Sequence, residues 1–150
     1  MRRLTPSAFL VVVLLFAGCS EQTTGKAPNI RYGKDPCAEC RMIISDKRFA
    51  AAFITTDGET IKFDDIGCLR VYERKHAVMP QQAWVHDCLS EAWIDQVKAV
   101  FVHSEDVVTP MGYGIAAFSD AQKARQFLAK HEGQKILWDE ITETFRKDHE

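Results

Sequence analysis

Two thiols and a thioether lie within six residues near the start of the chain, in the segment DPCAECRMIIS (35–45). Cys37, Cys40 and Met42 offer soft sulfur donors, which Cu(I) prefers over oxygen ligands. In an extended backbone, side chains two residues apart point to the same side, so Cys40 and Met42 can converge on one ion. We interpret Cys37, Cys40 and Met42 as candidate Cu(I) ligands.

A second thioether comes from a distant part of the chain. Apart from Met1, the only methionines are Met42, Met79 and Met111. Met111 lies in the glycine-flanked turn PMGYG (110–114), where a thioether has no evident packing role, so we add it to the candidate ligands. The alternatives are a core position for Met42 beside Ile43 and Ile44, and an incidental turn position for Met111.

The cysteines allow other interpretations. The chain has five cysteines, of which we predict that Cys19 carries lipid. The other four are Cys37, Cys40, Cys68 and Cys88. Outside the cytoplasm four thiols favour two disulfides, which would make the protein a disulfide-stapled structural lipoprotein. Cys37 and Cys40 alone could form a thiol–disulfide redox centre, although no thioredoxin-like pattern follows them. Structural zinc typically needs a second CxxC or a spaced histidine pair, and neither is present. We interpret Cys68 and Cys88 as buried.

The N-terminus predicts export and a lipid anchor. Arg2-Arg3 precedes the apolar run 8–17, which is shorter than the roughly 20 residues that span a bilayer and is typical of a secretory signal. The run ends at LFAGC (15–19), a lipobox-like sequence, so we predict a lipoprotein signal peptide over 1–18 and lipidation of Cys19. The polar segment 19–34 reads as a flexible tether. We expect a protein anchored to a membrane and facing the periplasm or cell exterior, with the outer membrane favoured in a Gram-negative host.

The charge restricts the partners. With 19 basic and 21 acidic residues the formal net charge is −2, which argues against nucleic acid, since that partner requires a basic face.

The folded part has an internal repeat. Asp57-Gly58 between two apolar runs predicts a hairpin, and Asp64-Asp65 and Ser119-Asp120 predict helix N-caps. The predicted strands are 49–55, 60–63, 83–85, 99–103, 113–118 and 135–138. The helices between them are predicted to end near residues 76 and 130. We therefore predict an α+β fold of two tandem ββαβ units, over 35–95 and 96–150.

Several motifs together resemble the NosL family of membrane-tethered copper-binding lipoproteins. They are the lipobox at Cys19, CAECRMII (37–44), FDDIGCL (63–69), WVHD (84–87), WID (93–95) and TPMGYGIAAF (109–118).

The resemblance implies a chaperone rather than an enzyme. It would deliver Cu(I) to the copper–sulfur centre of nitrous oxide reductase, together with a membrane assembly complex. It also implies a copper site formed by Cys40, Met42 and Met111, with Cys37 as a further participant. Arg41 departs from the family pattern, which usually has glycine at that position.

Overall fold

The computed structural model of the chain describes residues 25–142 and residue 145. The predicted signal peptide (1–18) and Cys19 lie outside these residues. Within the described part of the chain, no helix is long and apolar enough to cross a membrane.

Residues 25–142 contain two antiparallel sheets, each with one helix. The first sheet has the order β2-β1-β3-β4 and the second has the order β6-β5-β7. The strands are β1 (Ala51–Ile54), β2 (Thr60–Phe63), β3 (Gln82–His86), β4 (Trp93–Asp95), β5 (Val100–His103), β6 (Ile115–Phe118) and β7 (Gln134–Ile136). The helices are α1 (Ile66–His76) and α2 (Ala121–Leu128), and Gln96–Lys98 and Trp138–Glu140 form 3-10 turns.

The predicted α+β repeat is confirmed. In both units two strands, a helix and a third strand follow one another, and the first strand lies between the other two. Strand β4 was not predicted. It has three residues, too few to show an alternating pattern, and it exists because Ile94 pairs with Val85 of β3.

The helices begin where the sequence predicts. Asp65 caps α1 by accepting the N–H of Gly67, and Asp120 caps α2 by accepting the N–H of Lys123, both at 2.8 Å. These bonds satisfy backbone donors that have no partner inside a helix. The N-cap of α1 places Cys68 in the first turn of that helix.

Part of the segment that we assigned to the tether (19–34) packs in the fold. Ile30 is buried in the core, and the N–H of Gly33 donates to the carbonyl of Ile44 at 2.8 Å. The hydroxyl of Tyr32 bonds Nε2 of His86, also at 2.8 Å. These contacts hold the chain just before Cys37 against the first unit.

Candidate metal centre

The sulfur atoms of Cys37, Cys40 and Cys68 all lie within 4.8 Å of one another. We call these three residues the thiol cluster. Cys37 and Cys68 are 0% and 1% exposed, whereas Cys40 is half-buried. All three are free thiols. The cluster is therefore closed on the side of the core and is reached from solvent past Cys40.

A tight turn positions Cys37 and Cys40. The N–H of Cys37 donates to the carbonyl of Met42 at 2.8 Å, and the carbonyl of Cys37 accepts the N–H of Arg41 at 3.1 Å. The N–H of Ala38 donates to the carbonyl of Lys62 in β2 at 2.9 Å, which ties the turn to the first sheet. Cys37 is buried because these bonds hold the turn against the sheet.

Arg41 has φ = 67°, the left-handed conformation. The extended backbone that we assumed for Cys40–Met42 is therefore wrong, because the chain reverses direction between those two residues. Glycine adopts this conformation without a steric penalty, whereas other residues pay about 1–2 kcal/mol. The left-handed conformation explains why the family that the sequence resembles usually has glycine at this position. Arg41 carries a backbone strain that glycine would not have.

Cys68 joins the cluster from α1. We predicted it as buried, which is confirmed, but we did not connect it with the CxxC segment. Its position three residues after the capping Asp65 is the sequence feature that could have identified it. A thiol in the first helical turn lies near the positive end of the helix dipole, which favours the thiolate. What brings it to Cys37 is tertiary packing.

The three thiols have different proton affinities. A hydrogen bond from the thiol of Cys68, helped by backbone groups of Asp64 and Cys40, lowers the pKa of Cys37 to about 5. Burial raises the pKa of Cys40 to about 11. The pKa of Cys68 is raised because its proton is engaged by Cys37 and because it is buried. These shifts favour the thiolate at Cys37 and the protonated thiol at Cys40 and Cys68, and a bound metal ion would displace the remaining protons of its ligands.

The two predicted thioether ligands differ in burial. Met42 is 60% exposed beside Cys40. Met111 is half-buried and packs against the same hydrophobic core that includes Cys37 and Cys68. Its backbone N–H donates to Oδ2 of Asp65, the cap of α1, at 3.1 Å. Their role as metal ligands stays a prediction.

His86 and Cys88 have other surroundings. Both ring nitrogens of His86 are engaged, Nε2 by the hydroxyl of Tyr32 and Nδ1 by the carbonyl of Glu91 at 2.9 Å. Burial lowers the pKa of His86 to about 4, so the ring is neutral at pH 7. Cys88 is buried in a second hydrophobic cluster with Phe118 and neighbouring residues of the second unit.

Fold and site together define a class: a small α+β protein of two ββαβ units in which buried thiols converge on a half-open cluster suited to a soft metal ion. The chain belongs to the NosL family, whose model matches residues 31–145, and this confirms the resemblance seen in the motifs.

A solved structure agrees with this fold. The copper chaperone NosL from Shewanella denitrificans superposes with a TM-score of 0.67 at 22% identity, over 79% of this chain and 97% of that one. No curated protein sequence matches the chain. Family membership agrees with our interpretation of a protein that is not an enzyme.

Proposed function

We propose that this protein is a Cu(I) chaperone whose thiol cluster binds the ion, with Met111 and Met42 as thioether ligands. The observation that carries the proposal is the convergence of three thiol sulfurs within 4.8 Å, with only Cys40 reaching towards solvent. The solved structure that shares this fold is that of a copper chaperone, which supports copper as the cargo here.

The donor set favours Cu(I) over zinc. Cu(I) is soft and is satisfied by two or three sulfur ligands, whereas structural zinc sites take four N or S ligands. His86, the buried histidine of the first unit, already uses both ring nitrogens and would have to give up a hydrogen bond to become a fourth ligand. Three sulfurs with added thioethers match the softer ion.

The shape of the site suits transfer. An acceptor ligand can approach only past Cys40, because Cys37 and Cys68 are closed off. Met42 is exposed and follows Cys40 by two residues. An incoming thiolate, thioether or imidazole can therefore bind the copper ion there before the bonds from the ion to the buried sulfurs break. Copper would then pass directly between proteins without becoming a free aqueous ion.

A redox function is less well supported. The lowered pKa of Cys37 is a property that thiol–disulfide oxidoreductases also need. An attacking thiolate must also reach its substrate disulfide, and the sulfur of Cys37 belongs to a residue that is 0% exposed. Burial favours storage of a metal ion over attack on a large substrate.

The client and the location complete the proposal. We infer delivery to an exported copper enzyme, namely the copper–sulfur centre of nitrous oxide reductase, together with its membrane assembly complex. The predicted signal peptide (1–18) and lipidated Cys19 would hold the protein on the exported face of a membrane, in the compartment of that enzyme. The motifs shared with the NosL family support this client, and the N-terminal pattern supports the anchor.

The copper proposal is tested by competition with a chromophoric Cu(I) chelator. We expect Cys40→Ser to abolish tight binding and Cys88→Ser, which changes a buried thiol outside the cluster, to leave it unchanged. Equal affinity of the two variants would overturn the assignment. Counting free thiols with and without Cu(I) separates the alternatives. In a redox or disulfide-stapled protein the cysteines would be bridged, and Cu(I) would not change the number of free thiols.

The location and client need cellular tests. Cys19→Ala should abolish incorporation of labelled fatty acid and release the protein from membranes. In a strain that lacks the chaperone, nitrous oxide reductase should contain less copper, and the wild-type gene but not Cys40→Ser should restore it. A fully loaded reductase in that strain would contradict the assigned client.

A further inference from the structure

The carboxylate of Asp65 does more than cap a helix. Its Oδ1 accepts the N–H of Gly67 at 2.8 Å, and its Oδ2 accepts the N–H of Met111 at 3.1 Å. The side chain of Thr109 forms a further hydrogen bond to it. Asp65 is completely buried, so these bonds are not shared with water. One side chain of the first unit therefore holds both the first turn of α1 and the turn 109–114 of the second unit.

The packing around Asp65 brings the same two segments together. A Cβ atom added at Gly67 would overlap the ring of Tyr113, so the absence of a side chain at Gly67 lets that ring lie on α1. The turn is closed internally as well, since Thr109 accepts the N–H of Gly114 at 3.2 Å through its hydroxyl. The turn that contains Met111 is thus built as a unit and attached at Asp65.

The internal repeat supplies a comparison. Asp120 occupies the position in the second unit that Asp65 occupies in the first, and it caps α2 in the same way. It is exposed, and among the residues that the structure describes its other oxygen accepts only the adjacent Ser119 hydroxyl, at 3.4 Å. Helix capping therefore does not require the burial and cross-unit bonds of Asp65.

We propose that Asp65 is a positioning residue for copper binding: it fixes Met111 of the second unit against the first turn of α1, which carries Cys68. This inference rests on the proposed function, because Met111 matters only if the cluster binds Cu(I). Asp65 itself contributes no ligand. Its two oxygens set the relative position of a thioether and a thiol that lie far apart in sequence.

The test uses the full chain with Asp65→Ser and, as the matched control, Asp120→Ser. Serine caps helices about as well as aspartate but is one atom shorter, so it retains the cap while it cannot reach Met111. Cu(I) affinity is measured by chelator competition, and the response of the Met111 methyl group to Cu(I) is measured by NMR.

We expect Asp65→Ser to remove the copper-induced shift of the Met111 methyl signal and to lower Cu(I) affinity by the same factor as Met111→Leu. The double variant should lose no more than either single variant, because both changes remove one interaction. Asp120→Ser should keep the wild-type affinity and the wild-type shift. A purely structural role for Asp65 would not single out the Met111 signal.

Additive losses in the double variant, or a wild-type Met111 shift in Asp65→Ser, would overturn the inference. If Asp65→Ser does not fold, Asp65→Asn takes its place, since its amide has the same shape but leaves one of the two backbone donors without an acceptor. If Cys40→Ser abolishes binding while Met111 never responds to Cu(I), this inference fails and the proposed function stands. If Cys40→Ser binds normally, the proposed function fails first.

Discussion

The ring of Tyr113 lies on Gly67, at the place where any side chain on Gly67 would have to be. Gly67 belongs to the first turn of α1, immediately before Cys68, and Tyr113 follows Met111 by two residues. The contact joins the two ββαβ units beside the thiol cluster. Glycine lowers the stability of a helix, but at position 67 it allows the two units to pack closely.

We predict that Gly67→Ala destabilises the protein although alanine is the better helix former. The added methyl group must displace Tyr113, and overpacking of this kind typically costs about 1–3 kcal/mol. Urea unfolding measures the change. The double variant Gly67→Ala/Tyr113→Ala should lose less than the sum of the two single variants, since the clash is gone. A fully additive loss would show that the ring and the glycine are not in contact.

We predict that Arg41→Gly stabilises the turn that carries Cys37 and Cys40. Relief of the left-handed strain gains about 1–2 kcal/mol, and the greater freedom of glycine in the unfolded chain costs about 0.5–1 kcal/mol. The net increase in the free energy of unfolding should be about 0.5–1 kcal/mol by urea titration. Arg41→Ala is the control, because it removes the guanidinium but keeps the strained Cβ. A gain of the same size in that control would point to the charge of Arg41 instead of its backbone.

We predict that the metal-free protein contains one thiolate at neutral pH. Because the thiol of Cys68 donates to Cys37, the ultraviolet absorbance of the thiolate should titrate with a midpoint near the pKa of about 5 of Cys37. Cys37→Ser should remove this step, and Cys68→Ser should move its midpoint to higher pH because the donor is lost. Cys88→Ser should leave the curve unchanged. A step that survives in Cys37→Ser would assign the thiolate to another cysteine.

We predict that Asp87 stabilises the contact between the units in a pH-dependent way. Burial opposes its ionisation, but hydrogen bonds from Ser119, Ser90 and Lys123 prevail and lower the pKa of Asp87 below its ordinary value of 3.8. A folded-state pKa below the unfolded one adds stability above the unfolded pKa, and this stability is lost as the pH falls through the folded pKa.

Asp87→Asn should therefore lower the free energy of unfolding by about 2 kcal/mol at pH 7, the scale of hydrogen bonds to a charged group. The difference from wild type should shrink as the pH is lowered below about 4, which urea titrations at several pH values would measure. Asp57→Asn is the control, because Asp57 is an exposed hairpin residue and Asn-Gly forms the same turn. A pH-independent difference would exclude ionisation of Asp87 as the cause.

Local sequence determined much of this protein. Helix caps at Asp65 and Asp120, the Asp57-Gly58 hairpin and the repeated strand–strand–helix–strand order depend on neighbours within a few residues, so they were predictable and are confirmed. Short strand β4 was missed because its only reason to be extended is its partner β3, which lies several residues away.

Tertiary structure alone decided the composition of the cluster. The type and spacing of Cys37, Cys40 and Met42 indicated a soft-metal site, but the turn through Arg41 overrides the alternation that an extended chain would have. Cys68 reaches the same place because α1 packs beside β2, to which the turn is bonded through Lys62. The preference of sulfur ligands for a soft metal ion follows from residue type, so it can be recognised in the sequence. The convergence of the three sulfur atoms depends on packing between segments that lie far apart in the sequence.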